Sequence, residues 1–192
     1  MENKREMPSL EALVDELERV RYQKRFTNVL KSTIYALITV AAVAVLVATL
    51  LLPVLQIYGT SMTPALTESD IVVSVKGSNF KQGDIIAFYY NNKILVKRVI
   101  AFAGDWVDID EDGNVYVNDE LLEEPYVTDP AFGDVDIVLP YQVPDGKVFV
   151  MGDHRSTSQD SRLQAIGCVS EEQIVGRIVF KVWPLNEFGE VK

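Results

Sequence analysis

Residues 34–57 read IYALITVAAVAVLVATLLLPVLQI, with no Asp, Glu, Lys, Arg or His among them. As a helix rising about 1.5 Å per residue the stretch spans roughly 35 Å, enough for a hydrocarbon core about 30 Å thick. It is too long and too evenly apolar for a buried helix of a soluble protein, and it reads as one transmembrane anchor. Pro53 falls near its far end, where ending a helix costs little. Arg19, Arg21, Lys24, Arg25 and Lys31 precede the run, and the first charges after it are Glu68 and Asp70. Positive flanks stay in the cytoplasm, so the N-terminus is expected inside and residues 58–192 outside. A cleaved secretory signal fits less well, because its apolar core is shorter and would not begin after 33 residues. The expected organisation is a cytoplasmic segment 1–33, an anchor 34–57 and an extracytoplasmic domain 58–192, in a single-pass protein of the cell membrane.

On the N-terminal side, residues 9–26 (SLEALVDELERVRYQKRF) have the spacing of an amphipathic helix. Leu10, Leu13, Val14, Leu17 and Val20 fall on one face, and Ser9 can cap the start. No catalytic side-chain pattern accompanies it.

On the C-terminal side the period changes from helical to that of strands. Seven short runs are dense in β-branched and aromatic residues: 71–75, 84–90, 94–101, 106–109, 115–117, 147–151 and 174–183. Turn signals separate them, at Lys76-Gly77-Ser78-Asn79, Asn91-Asn92, Asp110 to Asn114 and Pro144-Asp145-Gly146. The expectation is an antiparallel β domain, closed or strongly coiled. Residues 118–146, rich in Asp, Glu and Pro, read as an excursion from it, with Glu123, Glu124, Asp129, Asp134 and Asp136 on a solvated face.

Charge and composition narrow the chemistry. Residues 34–192 hold eleven Lys/Arg against twenty-two Asp/Glu, which argues against a nucleic-acid partner. The chain has one cysteine, Cys168, and one histidine, His154, so an internal disulfide and a thiolate metal cluster are excluded. A Ser-His-Asp triad would have to use His154, whose hydroxyl-rich surroundings are those of any polar turn. Carboxylate pairs are too common among 28 acidic residues to point to a glycosidase.

Ser61 is different. It lies in Gly59-Thr60-Ser61-Met62-Thr63-Pro64, just past the apolar run, where Gly59 permits close backbone approach and Pro64 restricts Thr63. Lys97 interrupts the apolar strand Ile94-Leu95-Val96-Lys97-Arg98-Val99-Ile100 and shares a face with Leu95 and Val99, while Arg98 points to the other. Two readings stand open. In one, this is an edge strand with an outward lysine and a surface arginine. In the other, desolvation lowers the lysine pKa until its neutral amine can take a serine proton.

Four blocks resemble the type I signal peptidase (leader peptidase) family, particularly its single-anchor Gram-positive forms. They are Ser61-Met62-Thr63-Pro64-Ala65-Leu66; Gly83-Asp84-Ile85-Ile86-Ala87-Phe88; Lys97-Arg98-Val99-Ile100 running to Gly104-Asp105; and Gly152-Asp153-His154-Arg155 with Ser158, Asp160, Ser161, Arg162 and Gly167. The resemblance implies a mostly β, SH3-like-barrel-derived fold after one transmembrane helix. It implies a serine endopeptidase that removes signal peptides after an Ala-x-Ala-like site, with Ser61 as nucleophile and Lys97 as general base. Ser158 would orient the lysine, and Asp160 and Arg162 would form a supporting ion pair close to Arg155. The Ser61 N–H and a donor near Gly59 would hold the oxyanion; some members add a serine hydroxyl at that second position. Leu55, Ile57 and Val96 would line shallow pockets for small residues. Ala65 stands where threonine is usual, and His154 where asparagine is usual. No metal or organic cofactor is needed by that mechanism. The implied partners are signal peptides of secretory preproteins and the lipid bilayer, with the secretion translocon as a further candidate. A self-cleaving repressor would need a DNA-binding module that 33 near-neutral residues cannot supply. A dedicated pilin or surface-protein processor, and a tethered β domain that binds envelope partners, remain as rivals.

Overall fold

The computed structural model describes residues 9–77 and 79–191, so part of the expected turn at 76–79 (Ser78) and the first eight residues lie outside the described residues. The chain forms two compact units, Met1–Leu50 and Leu51–Lys192.

The first unit is helical. Helix α1, Leu10–Leu51, runs unbroken for 42 residues. Ser9 caps it, its carbonyl accepting from Leu13 N–H at 3.1 Å and its hydroxyl from Ala12 N–H at 3.3 Å. The amphipathic segment and the apolar run are therefore one element, because no Gly or Pro falls between residues 10 and 51 to divide them. The helix is long and apolar enough to cross a membrane.

It stops at Leu51, short of the end of the apolar run. Pro53 pushes Leu52 out of the helical region and offers no N–H of its own. The chain turns into a strand instead: Ser74 N–H donates to Pro53 C=O at 2.9 Å and Lys76 N–H to Leu51 C=O at 3.2 Å. Strand β1, Val54–Gln56, follows. An apolar run can serve a helix or a strand equally well, and here it serves both.

The second unit is antiparallel throughout. After β1 come β2 (Ile71–Val75), β3 (Ile85–Tyr90), β4 (Lys93–Phe102), β5 (Trp106–Ile109), β6 (Val115–Val117) and β7 (Glu120–Leu121). Then come β8 (Tyr141–Gln142), β9 (Lys147–Met151), β10 (Val169–Ser170), β11 (Ile174–Trp183) and β12 (Gly189–Glu190). One sheet has the order β1-β2-β11-β3-β4-β9-β10, with β12 on β11; the other is β7-β6-β5-β8. The expected seven strands are all present, within a residue at their ends. This is a mostly β unit preceded by one apolar helix.

Two details of the large sheet shape the site. The register shift between Val99 and Ala101 of β4 bends it onto β9. Strand β4 pairs with β3 along Lys93–Arg98 but with β9 only from Arg98 onward, so residues 93–97 keep one free edge. Three apolar clusters fill the unit, around Ile100 and Phe149, around Ile57 and Leu66, and around Phe88 and Val150.

In the 118–146 excursion Glu123, Asp129, Asp134 and Asp136 are exposed as expected, and Glu124 is the exception. Glu124 is held with a side chain 9% exposed against Arg155, and Asp136 N–H bonds to Arg162 C=O at 3.1 Å. Glu124 is thus a partner for a buried arginine.

Candidate active site

Strand β1 delivers the chain into a loop, residues 57–70, whose ends are tied together. Ile57 N–H donates to Asp70 C=O at 2.8 Å, and Ser69 N–H to Ile57 C=O at 2.9 Å. Met62 and Leu66 are buried in the Ile57 cluster, which fixes the loop from beneath. The Asp70 carboxylate, buried as well, accepts from Thr67 N–H at 2.8 Å and pairs with Lys181 Nζ at 2.7 Å. Ser61 sits half-buried at the crest, two residues after Gly59, whose φ of +83° strains any other residue type.

Lys97 reaches this loop from β4. Its Nζ lies 2.6 Å from Ser61 Oγ. The residue is 3% exposed, and its neighbour Arg98 is 1% exposed on the opposite face. Both faces of β4 are covered at this point, so of the two readings of this strand the buried one describes the fold. Burial pushes the Lys97 ammonium down to about 8 from the ordinary 10.5, with the Asp160 charge opposing and the Arg162 charge assisting.

The turn after β9 brings the remaining candidates. Its first residue, Gly152, has no room for a side chain: a Cβ would meet Ser158 Oγ, and Ser61 C=O at 2.5 Å. One missing methyl group thus lets the 152–158 turn lie against the nucleophile. His154 N–H donates to that same Ser61 carbonyl at 3.1 Å. The His154 side chain takes no part in this; its Nδ1 is buried without a hydrogen-bond partner.

Asp160 and Arg162 are fully buried and paired, Nε to Oδ1 at 2.8 Å and a terminal nitrogen to Oδ2 at 2.9 Å. Arg162 also donates to Phe132 C=O and Arg155 C=O, each at 2.8 Å. Burial opposes ionisation of Asp160, but Arg162, the Ser158 hydroxyl and Gly152 N–H outweigh it and hold the carboxyl below its usual range. Ser158 Oγ, 3% exposed, makes no hydrogen bond of ordinary geometry; its influence on Asp160 is that of a nearby hydroxyl dipole. Among the described residues, no hydrogen bond joins Ser158 Oγ to Lys97.

Sequence reasoning missed a second buried layer. Arg98 grips Asp153 through two bonds, 2.9 and 2.6 Å, and donates to Gly83 C=O at 2.6 Å. The Tyr126 ring stacks 3.8 Å from its guanidinium, and Tyr126 hydroxyl donates to Glu124, the partner of Arg155. An arginine in an apolar strand was the available signal, but nothing in composition tells which carboxylate meets it.

A cleft of about 700 Å³ opens over Ser61 and Lys97. Its lining includes Leu55, Ile57 and Val96, together with Gln56, Tyr58, Gly59, Met62 and residues 93–95. The structure thus gathers Ser61, Lys97, Gly59 and the three expected pocket residues at one cleft, with Asp160 and Arg162 packed beneath.

Comparison with known proteins agrees with the four sequence blocks. The model of the family described as signal peptidase, peptidase S26, matches residues 30–183. Thylakoidal processing peptidase 1 of Arabidopsis thaliana chloroplasts is 35% identical over 172 residues, covering 81% of this chain and 49% of the plant protein. Signal peptidase I of Bacillus amyloliquefaciens is 34% identical over 168 residues, covering 82% of this chain and 90% of the relative. Signal peptidase IB of Staphylococcus aureus strain COL is 36% identical over 152 residues, covering 69% and 78%. With residues 30–183 matched, from just before the apolar run through the last long strand, the chain belongs to the signal peptidase (peptidase S26) family.

Proposed function

We propose that the protein is a membrane-bound serine endopeptidase that removes signal peptides from secreted preproteins by a Ser61–Lys97 dyad. The observation that carries this reading is the 2.6 Å approach of Lys97 Nζ to Ser61 Oγ within a desolvated site. A lysine with a pKa of about 8 keeps a useful neutral fraction near neutral pH. Its amine takes the hydroxyl proton as Oγ bonds to the scissile carbonyl carbon. Among the described residues the Ser61 N–H meets no backbone acceptor, so it is free to donate to the oxyanion, with a backbone donor near Gly59. One such donor is typically worth about 3–4 kcal/mol in the transition state. As the C–N bond breaks, the Lys97 ammonium returns the proton to the leaving amine. Neutral Lys97 then deprotonates a water that hydrolyses the Ser61 ester, and the proton passes back to Oγ.

Substrate geometry follows from the open edges. Strand β1 is an edge of its sheet, and residues 93–97 of β4 lack a partner on one side. Both run toward the dyad and both line the cleft. An extended peptide can add there as a strand, held by backbone bonds, with Leu55, Ile57 and Val96 bounding pockets for small residues of an Ala-x-Ala site. Arginines and lysines before the apolar part of α1 support a cytoplasmic N-terminus and an extracytoplasmic catalytic unit in the cell membrane. A preprotein presented by the secretion translocon would meet the site in the same membrane. The register shifts along β4 and β11, of the kind that coil a sheet, support an SH3-like-barrel-derived description.

The test is cleavage of an Ala-x-Ala preprotein by the detergent-solubilised full chain. Cleavage at that bond, lost in both Ser61→Ala and Lys97→Ala, is expected. Activity that survives either substitution overturns the dyad.

A further inference from the structure

Twelve residues line the cleft, and only two of them carry charge: Lys97 at the dyad and Lys93 at the far end of the same strand. No carboxylate is among them, although residues 34–192 hold twice as many acidic as basic residues. Lys93 is exposed, and among the described residues it forms no ion pair. With Lys97 neutral in the reactive state, Lys93 is the one fixed charge in an otherwise apolar and neutral groove.

Register determines where that charge falls on a substrate. From Arg98 onward β4 is covered by β9, so a peptide adding to its edge can lie only along residues 93–97. Lys93, Leu95 and Lys97 are alternate residues and share one face. Four residues at about 3.3 Å each place Lys93 roughly 13 Å from Lys97 along the strand. A bound strand that runs parallel to β4, with its scissile residue opposite Lys97, sets the residue four positions further upstream opposite Lys93. An antiparallel strand would have to carry its upstream residues past Arg98, where β9 already covers β4, and away from the cleft that Leu55, Ile57 and Val96 line beside residues 93–97.

We infer that Lys93 is a specificity-determining residue, reading the charge of the substrate side chain four positions before the cleaved residue and favouring an acidic one over a basic one. The inference rests on the strand-addition reading of the cleft and deepens it. An exposed cross-strand ion pair contributes modestly, so the expected preference in kcat/KM is roughly threefold to tenfold for Glu over Lys. It should shrink as salt is raised, because the pair is solvent-exposed.

The test uses the full chain in detergent and three preproteins identical except for Glu, Ala or Lys at that position. The wild type is expected to rank them Glu, Ala, Lys at low salt, and Lys93→Glu to reverse the order. A ranking that is the same in Lys93→Glu as in the wild type, or no ranking in either, overturns the inference while cleavage of the Ala substrate leaves the protease reading intact. Failure of the wild type to cleave any of the three defeats both.

Discussion

Lys97 is a charge-forming side chain held where charge is disfavoured, and its chemistry and its cost have the same origin. Its folded pKa of about 8 lies below the ordinary 10.5. Between those values the unfolded chain binds more protons than the folded one, so stability rises as pH rises from about 8 toward 10.5 and is lowest below pH 8. The difference corresponds to about 3 kcal/mol of penalty at neutral pH. Lys97→Met, similar in volume and with nothing to ionise, is expected to abolish cleavage and to raise unfolding stability at pH 7 by about 1–3 kcal/mol. Chemical denaturation at pH 7 and pH 10 measures this. The variant's advantage over the wild type should narrow at the higher pH, and a less stable variant at both contradicts the account.

At the scale of elements, the site depends on how closely three segments approach: the 57–70 loop, β4 and the 152–162 turn. Gly152 is the tightest point. Gly152→Ala would drive a Cβ into Ser61 C=O and Ser158 Oγ, and kcat is expected to fall at least about a hundredfold, since a displacement near 1 Å costs that much. Glu124→Ala tests the excursion. It strips Arg155 of its partner in a site where the guanidinium is 1% exposed, and loss of one member of such a pair typically costs about 3–5 kcal/mol. A thermal or denaturant midpoint close to the wild type would show that the excursion is not part of the supporting structure. Much of this arrangement was legible beforehand. The strands followed from alternation and turn residues; Ser61 and Lys97 stood out as local anomalies, a serine on a Gly- and Pro-shaped turn and a lysine in an apolar strand, whose roles rested on the family resemblance. The rest was not, for physical reasons. β1 was hidden because its residues continue the apolar composition of the helix before it without a break. The partners of Arg98 and Arg155 were hidden because pairings across 55 and 31 positions are set by tertiary closure rather than local pattern.

At the scale of the molecule, an apolar helix and a β unit with its own cores divide the work. The β unit is strongly acidic and gains nothing from anionic lipid by charge, so α1 is what would hold enzyme and substrate in one membrane. Residues 51–192 expressed alone are expected to cleave a soluble peptide with kcat/KM within about threefold of the full chain. On a preprotein in vesicles the truncated form should be at least about tenfold slower, because the gain from tethering is lost. Equal losses on both substrates would mean that the helix supports the fold itself. What joins all three scales in the proposed reading is a lysine whose pKa the fold lowers so that its amine can activate Ser61, and the pH dependence of kcat/KM for the full chain measures it most directly. The account predicts an ascending limb with a midpoint near the Lys97 pKa of about 8, unchanged in His154→Asn. A limb near 6.5, the ordinary histidine value, that disappears in His154→Asn would contradict it and make His154 the base.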